Sequence, residues 1–388
     1  MMRKCSLALC VLLVITAFFL SAGRGRAGDM DSIKNFGLKA VIKLPGSQKV
    51  QRFDISWVDH PSQTYYLADR TNKQIDVIDA RTDTFVQALA RGDFVGFTGN
   101  NDTSGPNGIL VIHSRHELWA GDGPSNDPVC SAPPCSTVKV IDLRATPPEV
   151  VATISTGGTA RADEMAFDPD DQILVVANDA DIPPYLTFIS TDTRTVLGTL
   201  VFADAHNGLE QSVWDPATRR FYLNVPNTGG DSYIAQIDPL TRKITNKFHV
   251  DTCEGTGLAI TPHQHLIVGC QTQETLVVNA RTGTIVAFTT QVGGSDQVWF
   301  NPGDGNYYLA ARDNASGPVL GVIDAATNLV LGTVPTGLRG VHSVAANRAN
   351  NHVFVPLPSG STTGSFSCPN GSFSCPNGCI GVYFNDGD

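Results

Sequence analysis

One supersecondary unit repeats along the chain, and that repetition limits the fold more than any other feature. Six segments share a hydrophobic run, an acidic or polar turn and a second run: IDVIDARTDTFVQAL, VKVIDLRATPPEVVATI, LTFISTDTRTVLGTL, IAQIDPLTRKITNKF, TLVVNARTGTIVAF and LGVIDAATNLVLGTV. Alternating β-branched residues around an Asp-, Asn-, Thr- or Gly-rich turn specify β-hairpins. A second pair of strands precedes such hairpins, as in MAFDPDDQILVVAND, SVWDPATRRFYLNVP and QVWFNPGDGNYYLAAR. Each unit therefore carries four strands, and the units recur about every forty to fifty-odd residues without a long helical pattern. A lone four-stranded unit cannot bury both faces, so copies must stack, and at this period the stack is an all-β propeller.

First strands start near Phe53, Asn107, Asp163, Glu210, Thr256, Asp296 and His342, which makes seven blades. The last unit supplies only three strands of its own, HSVAANR, HVFVPLP and CIGVYF. LKAVIKLP, residues 38–45, stands before the first blade without a partner and is expected to complete the seventh. Such a closure removes the exposed edges that an open array would keep. Residues 28–388 are thus expected to form one seven-bladed domain.

Hairpins of the type V-I-D-x-x-T-x-x-V, at Val77–Ile78–Asp79, Val140–Ile141–Asp142 and Val322–Ile323–Asp324, carry a resemblance to the YVTN/YncE-like seven-bladed propellers. It spans almost all of the chain after residue 27. The resemblance implies the architecture and a binding role, and names no ligand.

Residues 1–27 read as a secretory signal peptide. Arg3 and Lys4 form a basic start, Leu7 to Leu20 an apolar stretch short for a membrane span, and Ala22 or Ala27 a cleavage point. An exported protein, periplasmic or extracellular, without a membrane anchor is expected. Those residues hold four of the 27 basic side chains and no acidic one, so 23 bases then face 37 acids. That surface repels phosphate backbones and argues against nucleic acid as a partner.

Aligning the innermost strands on their Asp-Pro-type corners exposes a polar ring. Five residues before each corner stand Asp54, Asn107, Asp163, Glu210, Thr256, Asp296 and His342. Glu164, Gln211 and Gln297 follow three of them and extend the polar character into the channel. Converging carboxylates repel unless they are protonated, hydrogen-bonded or neutralised by a cation. Asp54, Asn107, Glu210, Asp296 and His342 are the expected ligands of a divalent ion, Ca²⁺, Mg²⁺, Mn²⁺ or Zn²⁺. Asp163, Glu164, Gln211, Thr256 and Gln297 are expected to line the ligand channel. Structural hydrogen bonding around ordered water is the alternative for the whole ring.

GPNGILVI and HNGLEQSVWDP also resemble, more faintly, the inner strands of the gluconolactonase/regucalcin propellers. That resemblance implies a divalent metal used in lactone hydrolysis, with Asn107, Glu210 and Asp296 at the matching positions. The chain departs from it in having seven blades rather than six. No Gly-x-Ser-x-Gly elbow, phosphate-binding loop or haem-attachment motif is present, so no nucleotide or haem is expected.

Seven cysteines follow the leader, and in an exported chain they pair by default. Cys130 can bridge Cys135 across a short loop, and Cys253 can reach Cys270 if the preceding loop folds back. GSFSCPN occurs twice in tandem, at 364–370 and 371–377. Either Cys368 or Cys375 is then left to pair with Cys379, and the other is a duplicated spare; Cys375–Cys379 is the expected pair. By topology, the loops holding these cysteines overhang the ring as two pinned flaps. The expected function is recognition of a small molecule or protein at the channel mouth, with a divalent ion, by a monomer. A metal-dependent hydrolase or lyase of lactonase type and an envelope scaffold are the rivals.

Overall fold

The computed structural model describes residues 33, 35–337, 340–360, 367–368 and 371–385. The leader expected over 1–27 and part of the tandem GSFSCPN segment lie outside the described residues. Seven four-stranded antiparallel sheets surround one axis. Blades 1 to 6 cover residues 56–89, 109–155, 165–201, 212–249, 255–289 and 298–335. Blade 7 runs outward as Ala345–Asn347, His352–Leu357, Cys379–Asn385 and Phe36–Ile42. The all-β, seven-bladed fold expected from the repeats is therefore the fold of the molecule.

The N-terminal strand closes the ring. It pairs from Phe36 with Asn385 to Ile42 with Ile380. Its bounds differ from the expected 38–45: it starts two residues earlier and ends before Pro45, which has no N–H for a ladder. Leu38 and Ile42 join Phe354, Val382 and Tyr383 in a core shared with blades 1 and 6.

The far end of the propeller is built from near-identical turns. The residue before the second strand has positive φ in all seven blades: Gln63, His116, Gln172, Arg219, Gln264, Gly305 and Asn351. Asp or Asn at the corner caps the turn; Asp215 accepts the N–H groups of Ala217 and Thr218, and Asn347 that of Ala349. Connections at the opposite end differ from blade to blade, and all three disulfides sit there. Cys130–Cys135 spans the second-to-third-strand loop of blade 2. Cys253–Cys270 joins the entry of blade 5 to the end of its second strand, and Cys375–Cys379 precedes the third strand of blade 7. Among the described residues no helix is long and apolar enough to cross a membrane.

Closure by a single strand makes a direct prediction. Ile42, 5% exposed, should cost about 2–5 kcal/mol when changed to Ala. Val86, 55% exposed on the outermost strand of blade 1, should cost within about 0.5 kcal/mol. Urea unfolding of both variants measures the difference.

Candidate functional site

A repeated backbone bond puts the ring residues in equivalent places. Asp54, Asn107, Asp163, Glu210 and Asp296 each donate their N–H to a second-strand carbonyl of their own blade, at 2.8–3.1 Å. Glycine lets two neighbours approach: a Cβ on Gly108 would stand 2.3 Å from Asp163 O, and one on Gly257 2.1 Å from Asp296 O. The inner strands thus bring Asp54, Asp163, Glu164, Glu210, Thr256, Asp296 and His342 around one recess of about 200 Å³.

Three arginines absent from the expected ring line the recess and pair with its acids. Arg70 bonds Asp54 through Nη2, and through Nε and Nη2 reaches Asn107 Oδ1 at 3.0 and 2.7 Å. Arg161 stands 2.7 Å from Asp163 and forks onto both oxygens of Asp179. Arg312 pairs with Asp296 at 2.6 Å. Arg70 and Arg312 directly follow the second strands of blades 1 and 6, in LADR and LAAR. Arg161 lies two residues before Asp163. That register is visible in the sequence once the hairpins are aligned, because second strands end where first strands begin.

The remaining expected ligands are already engaged. Asn107 is fully buried, and its Nδ2 donates to Ala162 O. His342 stacks on Phe53, with Nδ1 2.9 Å from Gly340 O and Nε2 3.5 Å from Asp54. Thr256 Oγ1 donates to Gly269 O and Ser295 O. Gln211 accepts the Leu258 N–H, and Gln297 ties blade 6 to blades 7 and 1 through Ser343, Val344 and Ser56. Gln211 and Gln297 line the shaft below the recess rather than the recess itself. Among the described residues no group of three His, Cys, Asp or Glu stands ready to hold a metal.

Two carboxyls are left over. Among the described residues, neither Glu164, 7% exposed, nor Glu210 has a side-chain hydrogen bond or ion pair, and both face the recess. Burial first, then Asp163 and Glu210, push the Glu164 carboxyl well above its ordinary range. Burial and then Asp296 do the same to Glu210. Asp54 goes the other way: burial would raise it, but Arg70 and the His342 hydrogen bond outweigh burial and hold it low. Arg161 keeps its proton despite burial because Asp163 and Asp179 face it. One guanidinium cannot fully compensate two carboxylates, and burial raises both Asp163 and Asp179 against its pull.

No family model matches the sequence, and no curated protein matches it.

Replacing Arg161 by Leu leaves two buried acids facing each other. The variant should lose about 3–5 kcal/mol at pH 7.5. The loss should shrink toward pH 5, because both acids have raised pKa values and protonation removes their uncompensated charge. Urea unfolding at the two pH values reads the effect; an equal loss at both would contradict the charge account.

Proposed function

We propose that this is an exported binding propeller that takes a small ligand in the recess at the channel mouth. The observation that carries it is the pair Glu164 and Glu210. Every other acid lining the recess has a basic partner: Asp54 with Arg70 and His342, Asp163 with Arg161, Asp296 with Arg312. A buried carboxyl without a partner costs stability, and a ligand that engages it recovers that cost. Export is supported by the leader-like N-terminus and by three disulfides, which persist in oxidising compartments.

A second reading rests on the same two carboxyls. A divalent ion drawn to Glu164 and Glu210, with water completing its shell, would polarise a lactone or ester carbonyl and make the protein a hydrolase. It stands second because Arg70, Arg161 and Arg312 already neutralise the other acids, so the fold needs no metal to hold the ring together.

Thermal-shift measurements with alkylammonium salts, carboxylates, sugars, lactones and the chlorides of Ca²⁺, Mg²⁺, Mn²⁺ and Zn²⁺ test both. At least one class should stabilise the protein and fail to stabilise the Glu164→Gln/Glu210→Gln variant. The mouth reading fails if no class acts, or if the variant responds like the parent. A response confined to divalent ions, with lactone turnover, would move the second reading to first place.

A further inference from the structure

Beside the recess along the channel lies a second cavity, of about 400 Å³, lined by the innermost strands. Its wall is mostly apolar, with Ile109, Met165, Val213 and Leu258 along it. Trp57 and Trp299 meet edge to face there at 5.3 Å, and Trp214 and Phe300 add two more rings. Ile55 and Glu164 belong to the walls of both cavities, so the charged recess and the apolar shaft meet at Glu164.

Glu164 is an exception at its own position. The equivalent residues of blades 4 and 6, Gln211 and Gln297, spend their amides tying neighbouring blades together. Glu164 makes no such bond and presents its carboxyl to the neck between the cavities.

We propose that the ligand is an amphipathic organic amine, its ammonium held between Glu164 and Glu210 and its apolar body in the shaft. The inference rests on the mouth reading above and adds the chemical class. An ammonium supplies three donors and no acceptor, which suits two carboxylates lacking donors. A carboxylate or phosphate ligand would face Glu164 and Glu210 head-on at the neck, where Arg70, Arg161 and Arg312 are already paired with acids and Arg52 stacks on Phe97. A sugar would leave hydroxyls unsatisfied against Met165, Val213 and the tryptophans. A hard divalent ion seeks six or more oxygens, and the neck opens onto hydrocarbon on its lower side. The two cavities together lie within the size range of small-molecule sites.

Ammonium binding requires ionised carboxylates. Glu164 faces Asp163, Glu210, Asp296 and Asp54, and Glu210 faces Asp296, Asp179 and Asp163 together with the cations Arg161 and Arg312. Both carboxyls are raised by burial and by those acids, so the amine releases protons as it binds. Affinity therefore rises as pH increases from 5 to 8.

Isothermal titration of the mature protein with butyl-, hexyl- and octylammonium, 1-hexanol, hexanoate and the four divalent chlorides tests the proposal. Affinity should rise about tenfold for each two methylenes added, with hexanol and hexanoate at least tenfold weaker than hexylammonium. Proton release should appear as a buffer-dependent heat. Glu164→Gln/Glu210→Gln should abolish the preference for amine over alcohol. Val213→Trp, which fills the shaft, should bring hexylammonium down to the affinity of butylammonium. Amine affinity independent of chain length would overturn the shaft assignment, and equal binding of alcohol would overturn the head assignment. Binding of a divalent ion or of hexanoate instead, lost in the double Glu variant, would reject the amine and keep the mouth reading. No binding by any probe would reject both.

Discussion

Everything at the centre of this molecule depends on the pairing of Phe36–Ile42 with Cys379–Asn385. A propeller blade buries its faces only against two neighbours, and the ring has no first or last blade once the two chain ends share a sheet. Closure sets how near the seven innermost strands stand to the axis, and so whether their side chains meet. Leu38 and Ile42 anchor it in the same core that carries Phe53 and Val58, at the entry to blade 1. The strand that closes the outside thus also positions Asp54 and its neighbours at the mouth.

Bringing acids from several blades to one axis creates a charge problem, which the chain solves from within. Arg70 bridges Asp54 to Asn107 of the next blade, Arg161 takes up Asp163 with Asp179, and Arg312 takes up Asp296. Buried ion pairs of this kind add little net stability over an apolar replacement, but losing one partner leaves the other exposed to the full desolvation penalty. The arginines also fix their carboxylates in place through Asn107 and the forked bond to Asp179. Glu164 and Glu210 stand outside this balance.

The fold was legible because its signals are local and repeated. Strand alternation and hairpin spacing gave seven units, and the three-stranded last unit pointed to closure by the N-terminus. The ring positions were legible for a related reason: the corners marked by Asp168, Asp215, Asn301 and Asn347 cap their turns, so counting back from them keeps register. The arginines are harder to read from the sequence because they lie just past second strands or in an entry loop, and their meeting with ring acids depends on antiparallel pairing across the hairpin. Nor does composition distinguish Glu164 from Gln211 and Gln297. All three are polar residues one step past the ring, and only the partners of their side chains separate a tie between blades from a carboxyl left facing a cavity.

The two ends of the propeller divide structure from chemistry. At the far end the same left-handed residue recurs in every blade, and capped corners satisfy the backbone locally. Such turns leave little freedom for side chains to do anything else. At the mouth end the connections vary, and disulfides pin three of them. Around the recess, Asp54, Asp163 and Asp296 each meet an arginine. Three arginines and two glutamines are spent on bonds within the ring. Glu164, at the junction of two cavities, has no such bond among the described residues, and that contrast sets its position apart from the equivalent ones in blades 4 and 6.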